Sequence, residues 1–172
     1  KNFNKQITNP IFKAIEEAAK KNKNGESTFV APEVVFLKGD QASSLKEKGN
    51  TAQFNSETNK IEIDLDKYTP GKPLHELSHV VFNAYFKNNP EGKTAFTNKM
   101  RGMFKGVDFG AFKDTELRRG IQEKYKDKDV QGEEYIAFLT EFLSDPKVYY
   151  RNKYLAGSLV KELKSEFRLI RK

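Results

Sequence analysis

The chain contains no cysteine, no tryptophan and only two histidines among its 172 residues. Without cysteine there is no disulfide scaffold, no thiol nucleophile and no thiolate-ligated metal site. Nothing follows from this about the redox compartment. Long apolar runs are missing too. Stretches such as Val34-Val35-Phe36-Leu37 are only a few residues long, so no transmembrane helix is expected. The opposite extreme, a wholly disordered chain, is excluded by what is present. With 14 Phe and 7 Tyr the apolar content is real, although the mean hydropathy is −0.76. The length suits one domain over 1–172, able to bury roughly 70% of its unfolded surface without staples. The chain opens on Lys1 with no Met, and nothing near it reads as a signal peptide, as expected of a processed or trimmed chain. That leaves localisation open, with a soluble protein expected and secretion or association with a virion both compatible.

An excess of one charge is nearly absent over most of the chain and concentrated at its end. The formal net charge is +7. Up to Pro146 there are 23 basic and 22 acidic residues, whereas 147–172 holds eight basic residues against Glu162 and Glu166. Tyr149, Tyr150 and Tyr154 are interleaved with that basic stretch. Such a pattern suits phosphate contacts with base stacking. A lysine-rich solvated helix face accounts for it as well, so nucleic acid is not expected as a partner. A basic end can equally dock on an acidic neighbour within a larger polypeptide or assembly.

Asn9-Pro10 reads as a helix start, with Ile11, Phe12, Ile15 and Ala18-Ala19 at helical spacing behind it. Thr28-Phe29-Val30 and Glu33–Leu37 are β-rich, and Gly39-Asp40 stops them. The stretch from Lys38 to Asn50 reads as a polar loop. Thr51–Asn55 and Lys60–Asp66 form a hairpin pattern around Ser56–Asn59. The second arm alternates, with Ile61, Ile63 and Leu65 on one face and Glu62, Asp64 and Asp66 on the other, as in a half-buried strand with one wet, acidic side. Past Tyr68–Pro73 the pattern turns helical and stays so. Helices are expected over Leu74–Phe86, through Phe96, Met100, Met103 and Phe104, through Leu117, Ile121 and Tyr125, and over Glu133–Leu143. Asp145-Pro146 ends the last of these, and a final helix runs through Leu159, Leu163 and Phe167. The expected class is α+β, a small mixed or antiparallel sheet followed by a mostly helical part. The core spans about 28–146, and 147–172 forms a basic helical extension.

Both histidines fall in His75-Glu76-Leu77-Ser78-His79, an H-E-x-x-H motif. Two histidines placed at random, with 16 Glu in the chain, give this pattern roughly one time in a thousand. Residues i and i+4 of a helix share one face, so two neutral imidazoles can point at one ion. Zinc takes nitrogen and oxygen ligands in a tetrahedral array. Glu76 lies about 100° further round the helix from His75. From there it reaches a water beside the metal as a general base rather than ligating. The bland alternative is an amphipathic helix carrying two surface histidines.

A third protein ligand must be a carboxylate, because no third His and no Cys exist. Metzincins extend the motif with Gly and His, where this chain has Phe82 and Tyr85, so that subclass is excluded. The best stretch for the ligand is Gly132–Leu143. On a helical wheel its apolar residues cover one arc, while Glu134, Ala137 and Glu141 fall together on the other side. Glu133 and Glu141 remain open beside Glu134, as do ordinary solvated glutamates.

These residues resemble a zincin of the gluzincin type. They are most similar to small zincin domains related to the anthrax lethal factor catalytic domain and to zincin-like domains of phage-encoded multidomain proteins. In those a hairpin strand precedes H-E-x-x-H, and an E-x-x-A helix some tens of residues later gives the third ligand. Here Glu134-Tyr135-Ile136-Ala137 follows His79 by 55 residues, and the likeness covers roughly 51–146. The resemblance implies that His75, His79 and Glu134 bind Zn2+ and that Glu76 is the general base. It also implies that the strand Ile61, Ile63, Leu65 is an edge to which an extended peptide adds. One departure stands out. The family often has an acid one turn after the ligand Glu, to orient a histidine, and this chain has Phe138 there; Glu141 or a backbone carbonyl is left to do that job. A tyrosine that steadies the oxyanion is also common, with Tyr125 upstream at an unmatched spacing. The expectation is a zinc-dependent endopeptidase acting on extended peptide or protein. The alternative is a catalytically retired zincin-like module of a larger protein.

Overall fold

The computed structural model describes residues 32–168, apart from Ser56, Pro70 and Lys87. The helix expected from Asn9-Pro10 and the strand at Thr28-Phe29-Val30 lie outside the described residues. Three strands form one sheet: β1 (Glu33–Leu37), β2 (Ala52–Asn55) and β3 (Lys60–Asp64). The order is β1-β3-β2, with β1 parallel and β2 antiparallel to β3. The β2–β3 hairpin closes where Asn55 Oδ1 accepts from the backbone N–H groups of Glu57 and Thr58, at 3.1 and 3.3 Å. Asn59 completes the turn in the left-handed region, a conformation asparagine tolerates better than most residues.

The stretch 38–50 is not the polar loop its composition suggests. Gly39–Ala42 forms a 3-10 turn that runs into α1 (Ser43–Glu47), and Ala42 and Leu45 are fully buried. The parallel pairing of β1 with β3 requires the chain to cross over between them, and these two apolar residues anchor part of that crossover. Two residues three apart are too few to register as a period.

Strand β3 also ends earlier than its alternation predicts. Ile61 and Ile63 are buried as expected, but Asp64 is wholly buried and Leu65 is 44% exposed. Asp64 Oδ1 accepts from the backbone N–H of Asp66 at 3.0 Å and caps a 3-10 turn over Leu65–Lys67. The cap takes the chain out of the sheet, so Leu65 does not continue the buried face and Asp64 is not on a wet one.

The remaining helices are α2 (Lys72–Tyr85), α3 (Pro90–Met103), α4 (Asp114–Lys124), α5 (Lys128–Leu143), α6 (Pro146–Arg151) and α7 (Lys153–Arg168). Their starts carry recognisable signals. Asn89, Asp127 and Asp145 accept backbone N–H groups at the starts of α3, α5 and α6, and Pro stands in the first turn of α2, α3 and α6. The result is a mixed α+β fold, mostly helical among the described residues. No helix there is long and apolar enough to cross a membrane.

Helices α2 and α5 pack most extensively against each other, and α3 and α4 flank α5. The core between them is built on Leu77, Phe82, Phe96, Met100, Ile136 and Leu139. Close approach of α2 to α5 depends on Gly71, the residue before α2. A Cβ there would lie 2.5 Å from the Glu141 carbonyl oxygen.

Candidate metal centre

The first two turns of α2 set His75 and His79 on its α5 side, one above the other. Their Nε2 atoms are 3.3 Å apart. From α5, Glu134 Oε2 lies 3.3 Å from His75 Nε2, and Glu134 Oε1 lies 3.3 Å from His79 Nε2. Ligands about 2.0–2.1 Å from a tetrahedral cation stand roughly 3.3–3.4 Å from one another, so this spacing matches a single small ion. His75, His79 and Glu134 form a group that could hold a metal ion. Ala137, one turn beyond Glu134, is fully buried.

The outer ring nitrogens face carboxylates. His79 Nδ1 is 2.6 Å from Glu133 Oε1, and His75 Nδ1 is 3.0 Å from Glu141 Oε2. A carboxylate near Nδ1 favours the ring proton there, with a lone pair left on Nε2; Glu133 makes that hydrogen bond to His79, whereas Glu141 only lies close to His75 Nδ1. Two lone pairs and a carboxylate then converge on one point with no donor among them. The buried Glu134 Oε2, Glu141 Oε2 and His75 Nδ1 have no aligned hydrogen-bond partner. Such an arrangement needs either protons or a cation.

Charge leads to the same requirement. Glu133 is paired with Lys93, and Glu141 lies 3.6 Å from Lys72 Nζ, while Glu134 and Glu76 have no lysine of their own. With neutral imidazoles the site is left two charges negative, which a divalent cation neutralises. Without one, the residues trade protons. Burial alone would lower the pKa of His79, yet Glu133 and Glu134 outweigh it and lift the ring to about 10. His75 is raised in the same way, its burial overcome by Glu134 and Glu141. The two histidines hold the Glu134 carboxyl well below the usual carboxylate range, against the effect of burial.

Glu76 is half-buried beside the triangle. Burial raises its pKa, and the two histidines and Lys72 partly offset that. Tyr125 follows the last turn of α4 in extended backbone, tied to α5 by a hydrogen bond from Gln131 Nε2 to its carbonyl oxygen at 2.8 Å. Its phenol faces the site: burial, then the negative charge of Glu134 and Glu76, push its pKa well above the usual value.

The expected residues His75, Glu76, His79 and Glu134 therefore meet in one place, with Tyr125 beside them. Glu133 and Glu141, open alternatives for the third ligand, stand instead behind the histidines. Phe138, at the position where an acid was expected, packs edge-on against the His75 ring at 4.5 Å between centroids. The edge-strand expectation for Ile61, Ile63 and Leu65 is overturned. Strand β3 is central and paired on both sides, and Leu65 is not in it. Among the described residues the open edges belong to β1 and β2, and β2 packs against α2. Alternation alone cannot tell a central strand of a small sheet from an edge, because both bury one face. Lys72, Lys93, Thr69 and Asn83 also belong to the site, and no spacing in the sequence marks them.

The fold and site define a class: a mixed α+β protein with a largely buried His-His-Glu group between two helices. No family model matches the chain, and no curated protein or solved structure matches it either.

Proposed function

We propose that this protein is a zinc-dependent endopeptidase of the gluzincin kind, built on a zincin-like domain, that hydrolyses extended peptides. The observation that carries this reading is the 3.3 Å spacing among His75, His79 and Glu134, with Glu76 alongside on the same helix. Three protein ligands leave a fourth position of a tetrahedral ion for water or substrate. When bound, zinc supplies Lewis acidity that acidifies a water and polarises a carbonyl.

The chain's own residues do the rest. Glu76 accepts the proton of the attacking water and hands it to the departing amine; its raised pKa makes it a better base than a solvated glutamate. Tyr125 stays protonated through neutral pH and donates its O–H to the carbonyl oxygen as negative charge develops there. Glu133 holds the His79 ring in the tautomer that keeps its Nε2 lone pair inward, and Glu141 stands 3.0 Å from His75 Nδ1 as the acceptor nearest that ring. Strand β2, the open edge beside α2, is where an extended peptide adds by backbone hydrogen bonds.

The test is a peptide library incubated with zinc-loaded protein and read by mass spectrometry. Cleavage is expected with the native chain and not with Glu76→Gln, which keeps its zinc. A zinc-loaded native protein that leaves the library intact would instead mark a zincin-like module without peptidase activity.

A further inference from the structure

Glu133 is held more completely than any other carboxylate at the site. Its Oε1 faces His79 Nδ1 at 2.6 Å and accepts from Asn83 Nδ2 at 3.3 Å. Its Oε2 is paired with Lys93 Nζ, which also donates to Asn83 Oδ1 at 3.2 Å. Lys93, Asn83 and Glu133 thus close a triangle drawn from α3, α2 and α5. The corresponding group behind His75 is loose. Lys72 Nζ and Thr69 Oγ1 stand 3.6 and 3.5 Å from Glu141 Oε1, and Oε2 has no aligned partner.

We propose that Lys93 is the positioning residue of the metal centre: through Glu133 it locks the His79 ring and thereby sets the affinity for the ion. The proposal rests on the reading of His75, His79 and Glu134 as metal ligands. Two effects oppose each other here. Lys93 is a cation close to a cation site, so by Coulomb's law alone its removal would tighten metal binding. Against that, a glutamate released from Lys93 and Asn83 is free to leave His79, and the ring loses the partner that fixes its tautomer and plane. Loss of such outer-shell partners commonly weakens a metal by about 10- to 100-fold. Glu133 is mostly buried and already neutralised by Lys93, which leaves little long-range repulsion to relieve. Positioning wins, and the sign of the change decides between the two.

Zinc affinity would be measured by competition with a chromogenic chelator for the native chain, Lys93→Met, Lys93→Arg, Lys72→Met and Asn83→Ala. Visible absorption of the cobalt-substituted proteins would report ligand geometry. Lys93→Met is expected to bind zinc about 10- to 100-fold more weakly and to shift the cobalt bands. Lys93→Arg, which keeps the ion pair, should stay within a few-fold of the native chain with the native spectrum, and Lys72→Met should do less harm than Lys93→Met. A merely structural role would leave the cobalt spectrum unmoved. Asn83 is exposed, so Asn83→Ala carries the same test in a smaller step should Lys93→Met fail to fold. Native zinc binding with an unchanged or tighter Lys93→Met would overturn the positioning role alone. Absence of zinc binding by the native chain would overturn the ligand reading and this proposal with it.

Discussion

His79 sits between two carboxylates, Glu133 on Nδ1 and Glu134 on Nε2, and its pKa of about 10 in the metal-free protein follows from that position. The folded value lies above the ordinary 6.5, so the protonated ring stabilises the metal-free fold below about pH 6.5. That support is lost as pH rises towards 10. A zinc ion bound through His79 would have to displace the same proton, so its affinity is expected to climb with pH. Both effects act in one direction. The gap in melting temperature between zinc-loaded and metal-free protein is expected to widen from about pH 6 to about pH 8.5. Scanning calorimetry at three pH values checks this, and a gap that narrows would contradict it. Tyr125 allows a second test at the same scale. Tyr125→Phe should keep its zinc and lose about 100-fold or more in kcat, the usual cost of removing one donor to a developing oxyanion. Loss of zinc in that variant would mean that the phenol holds Glu134 rather than substrate.

At the scale of elements, α2 and α5 bring His75, His79 and Glu134 together, and their close approach depends on Gly71. In Gly71→Ala the new Cβ meets backbone, the Glu141 carbonyl oxygen, which cannot move aside as a flexible side chain would. The helices must part. A loss of about 1–3 kcal/mol is expected in urea unfolding, with weaker zinc binding alongside. A second network pins α5 to α4 and the loop before it. Tyr135 donates its O–H to Asp114, which also accepts from Arg118 Nε at 2.7 Å and from the Gly106 N–H at 2.8 Å. Burial, then the Asp114 carboxylate, raise the Tyr135 pKa. Tyr135→Phe leaves Asp114 short of one donor and should cost about 1–3 kcal/mol at neutral pH. The cost should shrink above about pH 10, where the phenol ionises in the unfolded chain while the folded protein keeps it protonated. Urea titrations at both pH values measure it.

The same elements show which parts were legible beforehand. Helix α2 is announced by a Pro-Gly turn and an apolar period, and H-E-x-x-H lies on it in plain view. Glu134, Ala137 and Glu141 share a helical face, which local geometry alone reveals. The order of strands is different in kind. Whether Ile61 and Ile63 sit at an edge depends on β1, which arrives from elsewhere in the chain. Lys93 is equally hidden, since its partner Glu133 is 40 residues away and no spacing connects the two. Asp64 misleads because a capping carboxylate and a solvent-facing one look identical in a list of residues.

For the whole molecule, the ion would act as a clamp as well as a reagent. It would join the two helices that pack most extensively, in a fold whose described sheet has only three short strands. Zinc at 100 times its Kd should add about 2.7 kcal/mol to the stability, and chelation should remove it reversibly. Among the described residues the basic end is largely free of ion pairs. Lys147, Arg151, Lys153 and Lys161 are exposed and make no ion pair among the described residues, while Glu162 is paired with Lys99 of α3 and Asp145 caps α6.

The central claim is that His75, His79 and Glu134 hold one zinc ion and that Glu76 stands beside it without ligating. Elemental analysis of the native chain next to His75→Ala, Glu134→Ala and Glu76→Gln tests it most directly. One zinc per chain is expected in the native protein and in Glu76→Gln, and none in the other two. No zinc in the native chain after reconstitution, or full zinc in Glu134→Ala, would contradict it.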